Sequence, residues 1–234
     1  EIRNPLASIS GSIELLGQGG PTTPDEQKKL MNIVIREIDR LNNMITEFLD
    51  YVKPNQVSDE SVQLSGLLGD ICEMNKMNKN LRQDTEVTLD LSSKKIIAGS
   101  RDKLRQALIN IIINAHQAVT EQPHPKVKVS CIDGDKKVTV RISDNGVGIE
   151  EARLKKIFEP FHTTKAKGTG LGLAVTHKIL EAHNVQIFVE SQKGVGTEFI
   201  LEFPERTERT DLPLAQTKIP EDNLTWGIQN RKAK

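Results

Sequence analysis

Net charge is the first thing this chain of 234 residues lacks: 32 Lys and Arg stand against 32 Asp and Glu. No global basic field draws it to nucleic acid or to an anionic membrane surface, so an anion must be held by a local site. No apolar run approaches the roughly 20 residues that cross a bilayer, and no signal peptide is visible. Direct membrane contact is therefore not expected of this stretch. Cysteine is scarce as well. Cys72 and Cys131 form neither a CxxC nor a metal-ligand spacing, which fits two inert thiols of a cytoplasmic protein. The chain opens inside a helical pattern at Glu1-Ile2-Arg3-Asn4 without an initiator methionine. An upstream segment is expected, and a membrane anchor there stays open.

What is present begins with helices. Ile2, Leu6, Ile9, Ile13 and Leu16 recur at alternating steps of four and three, the seam of a coiled coil. Turn-formers from Gly17 to Pro24 end that helix. A second helix is expected from Asp25 to Val52, with a stripe of Leu30, Val34, Ile38, Leu41, Ile45, Phe48 and Val52. One stripe on one helix cannot offset the entropy of ordering a hairpin. Pairing with a second copy into a four-helix bundle is the simplest remedy; packing on its own chain is the alternative.

Beyond a polar linker at 55–61 the pattern turns to mixed helix and strand. A helix is expected from Leu64 to Leu81, strands at Glu86–Leu91 and Lys95–Ala98, and a long helix from Arg101 to Thr120 capped by Ser100. Lys126–Ile132 and Lys136–Ser143 alternate as strands joined by Asp133-Gly134-Asp135. A glycine-rich charged stretch runs from Asp144 to Gly172. A helix at Leu171–Ala182 and strands at Gln186–Ser191 and Thr197–Phe203 follow. Residues 205–234 are polar and aperiodic and read as a disordered tail.

Three motifs carry chemistry. Asn110 and Asn114 share one face of the long helix, opposite an apolar stripe of Leu104, Leu108, Ile111, Ala115 and Ala118. Alone, such a pair is more often a cap or a solvated face. Asp144-Asn-Gly146-Val-Gly148 follows a strand: the carboxylate suits an exocyclic amine such as that of adenine, and the glycines permit close approach. An ordinary Asp-Asn-Gly turn is the bland reading. Gly168-Thr-Gly170-Leu-Gly172-Leu opens a helix, whose free N–H groups and dipole favour phosphates. This run is no P-loop, which needs Gly-Lys-Ser/Thr, and no strand precedes it as in a dinucleotide fold. Lys165 and Lys167 add positive charge, and the whole suggests a lid.

In order, the Asn-x-x-x-Asn helix, Asp-x-Gly-x-Gly, Phe158-Glu-Pro-Phe161, Gly-Thr-Gly-Leu-Gly-Leu and Gly-x-Gly-Thr197 resemble the N, G1, F, G2 and G3 boxes of histidine kinases. That ATPase superfamily also includes DNA gyrase, Hsp90 and MutL. The resemblance covers most of residues 1–203. It implies ATP and Mg²⁺ as cofactors, with Asn114 as the metal-coordinating residue and Asn110 its neighbour on the same face. Asp144 becomes the adenine reader, Gly146 and Gly148 shape the base pocket, and Phe158 and Phe161 brace the lid. Gly168, Gly170 and Gly172 form the phosphate loop, Lys165 touches phosphate, and Thr197 lies near adenine. His116 and His162 are taken as packing or surface residues.

Glu1-Ile2-Arg3-Asn4-Pro5-Leu6 is similar to the phospho-acceptor box of the nitrogen-regulation kinases from its second residue onward. The accepting histidine would stand immediately before Glu1. Glu1 would be the base toward that imidazole, and Asn4 would position a hydrolytic water. The implied architecture is α+β: a dimeric helical hairpin over 1–54, a linker over 55–61, and an α/β sandwich ATP-binding domain over 62–204. The implied activity is autophosphorylation and transfer to a response regulator receiver domain, with homodimerisation through residues 1–54. A nucleotide-binding scaffold without transfer, or another ATPase of the superfamily, is the alternative.

Overall fold

The structure, a computed structural model, describes residues 2–18, 23–53, 58–79, 81–163 and 168–206. It divides into two compact units: residues 1–54 with 157–175, and residues 55–156 with 176–234. The expectations for Glu1, for Lys165 and for the tail from 207 fall outside the described residues.

The first unit is built on helices α1 (Arg3–Gly17) and α2 (Pro24–Val52), which pack side by side. Pro5 is tolerated in α1 because the first-turn N–H groups have no helical partner. Helix α2 starts on a capping box: the Glu26 N–H donates to the Thr23 hydroxyl at 3.3 Å, and the Thr23 N–H reaches back to the Glu26 carboxylate at 3.4 Å. The expected seams split. On α1, Pro5 and Ser12 are buried and Ile9 and Leu16 half-buried, whereas Ile2, Leu6 and Ile13 face solvent. On α2, Val34 and Met44 are buried and Leu30 and Leu41 half-buried, whereas Ile38, Ile45, Phe48 and Val52 are exposed.

In the second unit, β1 (Ser61–Val62) pairs with β3 (Ile97–Ala98), and α3 spans Leu64–Lys76. Among the described residues, the main sheet holds β2 (Glu86–Leu91), β4 (Lys126–Gly134), β5 (Lys137–Asp144), β6 (Gln186–Gln192) and β7 (Gly196–Pro204) in the order β2-β4-β5-β7-β6. Among the described residues, only the β2–β4 pair is parallel. One face is apolar by period-2 alternation: Val127, Val129 and Cys131, then Val138, Val140 and Ile142, then Phe199, Leu201 and Phe203 are all buried. Helices α3 and α4 (Arg101–Ala118) lie against this sheet. Leu104, Leu108, Ile111 and Ala115 of α4 are buried, as the stripe requires, and Ala118 is half-buried.

Several boundaries differ from the expectations. The β4–β5 reversal falls on Asp135-Lys136 rather than on Asp133-Gly134-Asp135: Gly134 pairs with Lys137, and Lys136 takes a φ of 53°. Ser100 occupies the N-cap of α4 without a capping side-chain bond; its backbone N–H donates to His183 Nε2 at 3.0 Å. A one-turn helix α5 (Glu151–Leu154) interrupts the glycine-rich stretch, and α6 runs Gly172–Ala182. Glu205 and Arg206, placed in the tail by composition, are held: Lys95 pairs with Glu205 at 2.6 Å, and Arg206 donates to Ser61 Oγ at 2.8 Å.

Candidate functional site

In the second unit, strand pairing joins motifs that are far apart in sequence. Asp144 ends β5 and Thr197 begins β7, and the two are register partners. Between them the backbones touch at a distance only glycine allows. A Cβ on Gly196, whose φ is 139°, would stand 2.0 Å from the Asp144 carbonyl oxygen. Thr197 is buried, and its hydroxyl lies 2.9 Å from that of Ser191.

The loop after Asp144 folds back onto the end of α4. The half-buried Asp144 carboxylate accepts the Gly146 N–H at 2.8 Å. Val147 N–H donates to the Ala118 carbonyl at 3.1 Å, and a Cβ on Gly146 would collide with that carbonyl at 2.5 Å. Asn145 closes the turn from the other side, accepting from Lys126 N–H at 2.8 Å and donating to the His124 carbonyl at 2.7 Å. Gly148 has a φ of 64° and passes so near Gln192 that a Cβ would sit 2.0 Å from its carbonyl oxygen. Asp144, Gly146 and Gly148 are thus anchored to both α4 and β6.

Asn110 and Asn114 project half-buried from α4. Asn110 Nδ2 donates to the buried Thr176 hydroxyl at 3.4 Å, which fixes one carboxamide against α6. Their carbonyl oxygens are hard neutral donors. They suit a cation that keeps most of its shell as water and phosphate oxygens. No cluster of three or more His, Cys, Asp or Glu able to hold a metal occurs among the described residues.

Ser191 is a contributor that the sequence reading missed. Its hydroxyl accepts the Ile149 N–H at 2.8 Å, donates to the Gly196 carbonyl at 3.0 Å and meets Thr197. It ties the loop after Gly148 to the Gly196–Thr197 turn. The only local signal was a polar residue closing a strand just before the Gly-x-Gly-Thr run.

The first unit holds the remaining motifs. Phe161 and Gly170 meet: the Phe161 N–H donates to the Gly170 carbonyl at 3.0 Å, and both residues are left-handed, at φ 64° and 71°. A Cβ on Gly170 would lie 2.5 Å from the Phe161 carbonyl carbon. Phe158 is half-buried and Phe161 exposed. Gly168 precedes Thr169, whose hydroxyl donates to the Glu47 carboxylate of α2 and accepts the Leu171 N–H at 3.3 Å. Gly172 opens α6. Asn4 is exposed in the first turn of α1. His116 is buried in the second unit and His162 half-buried in the first.

No described helix is long and apolar enough to cross a membrane. Two family profiles match. Residues 1–57 match the His Kinase A (phospho-acceptor) domain, and residues 99–207 match the histidine kinase-, DNA gyrase B- and HSP90-like ATPase. The chain is 36% identical over 214 residues to the sensor histidine kinase ZraS of Escherichia coli strain K12, covering 90% of this chain and 45% of ZraS. It is 35% identical over 207 residues to sporulation kinase E of Bacillus subtilis strain 168, covering 88% of this chain and 27% of that kinase. The chain thus spans less than half the length of these curated relatives. Among solved structures, histidine kinase ThkA in complex with the response regulator protein TrrA aligns at a TM-score of 0.70 and 30% identity, over 88% of this chain and 59% of that one. The catalytic domain of ThkA aligns at 0.57 and 30%, over 63% of this chain and 96% of that domain. With a phospho-acceptor domain followed by an ATPase domain of this type, the chain belongs to the histidine kinases.

Proposed function

We propose that this chain is the cytoplasmic catalytic core of a two-component kinase. It binds Mg-ATP, phosphorylates a histidine immediately before Glu1, and passes the phosphoryl group to an aspartate of a response regulator receiver. The observation that carries the reading is the register pairing of Asp144 with Thr197, with Gly146 locked onto the end of the Asn110–Asn114 helix. A carboxylate, a hydroxyl and two carboxamides are thereby fixed on one rigid frame.

Each residue has a part. The Asp144 carboxylate accepts from the exocyclic amine of adenine, and Thr197 lies beside it. Gly146 and Gly148 let the backbone pass close to the base. Asn114 holds Mg²⁺ through its carboxamide oxygen, with Asn110 next to it. A Mg²⁺ held there would supply neutralisation of the phosphate charge. Gly168, Gly170 and Gly172 offer backbone N–H groups to the phosphates at the head of α6, with Lys165 adding charge. Phe158 and Phe161 brace that segment. In the transfer, an imidazole nitrogen forms the new bond to the γ-phosphorus, the bond to the β,γ-bridging oxygen breaks, and ADP leaves. The imidazole proton passes to the Glu1 carboxylate. Asn4 orients water when the partner's acyl phosphate is hydrolysed. The first unit pairs with a second copy through residues 1–54. The complex of ThkA with the response regulator protein TrrA supports a response regulator as the other partner.

The test uses γ-labelled ATP and Mg²⁺ with two proteins: this chain, and the same chain extended upstream by a helical turn ending in histidine. Acid-labile label in the extended protein alone is expected. Nucleotide binding without label in either overturns the transfer reading and leaves a nucleotide-binding scaffold.

A further inference from the structure

Helix α2 carries two stripes. Val34, Leu41 and Met44 turn toward the interior of the first unit. One residue further along, and so about 100° around the helix, a second set is exposed. Met31, Ile35, Ile38, Ile45, Leu49 and Val52 are each between 44% and 59% accessible. Their spacing is four, three, seven, four and three residues. The gap of seven is filled by Asn42, which is also exposed and restores strict four-three alternation. In heptad terms Ile35, Asn42 and Leu49 take a positions, and Met31, Ile38, Ile45 and Val52 take d positions. Asn42 is the one polar member of a seven-position seam, and it lies at the middle of it.

We infer that Asn42 is the specificity-determining residue of the α2 seam, facing Asn42 of a second copy and fixing the register in which two hairpins associate. The inference rests on the homodimer reading above. A two-fold axis along the bundle sets each α2 residue level with its own copy. Asn42 therefore lies level with Asn42, and across the seam the two carboxamides can exchange a donor for an acceptor. Sliding by one heptad would set each Asn42 against Ile35 or Leu49, where an amide finds no partner and is desolvated. The apolar layers alone resist such a slip poorly, because Ile38 and Ile45 are identical and seven residues apart. The same polar layer disfavours pairing with a chain that carries an apolar residue at that level. The Thr46 hydroxyl donates to the Asn42 backbone carbonyl at 2.9 Å, so this bond does not engage the carboxamide.

The test is cross-linking under mild oxidation of chains carrying Ile38→Cys mixed with chains carrying Ile45→Cys. In register these positions are about 10 Å apart along the axis and beyond disulfide reach; a one-heptad slip brings them level. The native thiols Cys72 and Cys131 are buried and pushed up to about 11, so they contribute little. With Asn42 intact, self-pairs of each variant are expected and the mixed disulfide stays rare. Adding Asn42→Ile is expected to raise the mixed disulfide about fivefold or more while raising the melting temperature, since a polar layer costs stability. Asn42→Asp, which sets two carboxylates face to face, is expected to weaken dimerisation about tenfold at neutral pH. If Asn42→Ile leaves both the mixed disulfide and the melting temperature unchanged in a dimer, Asn42 does not set the register. If sedimentation finds the unmodified chain monomeric at every concentration, the homodimer reading itself fails, a separate result.

Discussion

The Asp144 carboxylate holds the N–H of Gly146, two residues on, at 2.8 Å, while the Asp144 backbone lies opposite Thr197. One side chain therefore shapes the loop and presents a carboxylate at its rim. Asp144→Asn keeps an oxygen for the Gly146 N–H but replaces the other acceptor with a donor. Against an exocyclic amine that change is unfavourable by about 1.5–3 kcal/mol, or roughly 10- to 100-fold in affinity. The expected result is weaker ATP binding, loss of preference for ATP over GTP, and an unchanged melting temperature. Calorimetric titration with both nucleotides checks it; preserved discrimination removes Asp144 as the base reader.

Gly148 is required by its geometry rather than by its chemistry. With a φ of 64° and a neighbouring carbonyl 2.0 Å from any added Cβ, Gly148→Ala must displace the β6–β7 turn. A cost of about 1–3 kcal/mol is expected. Chemical denaturation measures it. Gly194→Ala is the control: Gly194 also has a positive φ, 79°, but open space around its Cβ, so its loss should come from backbone strain alone.

Much of this frame was legible because it is written in local spacing. Asn110 and Asn114 share a helix face by arithmetic, and their opposite stripe is buried as expected. The resemblance set Asp144 and Thr197 near the same base, but their register pairing had no local signature, because it depends on β7 inserting between β5 and β6. Ser191 was invisible for the same reason: its three partners come from two turns on either side of it. On α2 the periodicity was misleading. Apolar residues fill both the inward stripe and the a and d positions, so a single stripe drawn through them mixes the two, and the polar member, Asn42, drops out.

Burial lowers the proton affinity of His116, which stands beside a cavity of about 40 Å³ with Cys72, Asn75, Lys76 and Arg82. The unfolded chain therefore binds more protons than the folded one from the ordinary histidine value of about 6.5 down to the depressed folded value. Stability from this group is full above about 6.5 and declines as the pH falls below it. Asp133, held low by the Ser93 hydroxyl, and Asp84, held low by Arg82, act in the same direction but only near and below about pH 4. Denaturation midpoints at pH 7.5 and 5.5 isolate the histidine effect. The fall between them should be smaller in His116→Leu than in the unmodified chain, and an equal fall in both excludes His116.

Asn114 is expected to act through the metal. In the unmodified chain, Mg²⁺ should tighten ATP binding; in Asn114→Ala that gain should shrink about tenfold or more, while metal-free binding changes little. Asn110→Ala, which loses the 3.4 Å bond to Thr176, should have the smaller effect on the metal dependence. Titrations with and without Mg²⁺ separate the two, and an Asn114→Ala protein with an intact Mg²⁺ response ends its assignment as the ligand.

The Thr169 hydroxyl donates to the Glu47 carboxylate, which places a negative charge beside the glycine run proposed to hold phosphates. Two consequences compete. The carboxylate repels a polyanion, and the hydrogen bond steadies the loop. At an effective dielectric near water's, one charge a few ångströms from phosphate is worth about 0.5–1 kcal/mol, comparable to the net value of one hydrogen bond. Salt separates them, because screening acts on the charge term alone. Glu47→Gln keeps an acceptor for Thr169 and removes the charge, so ATP should bind about two- to fivefold more tightly at low ionic strength. The gain should vanish as salt is raised. Glu47→Ala removes both effects and should bind ATP less tightly than Glu47→Gln at every salt concentration. Weaker ATP binding by Glu47→Gln at low salt would mean that the charge itself holds Thr169 in place, and that positioning outweighs repulsion.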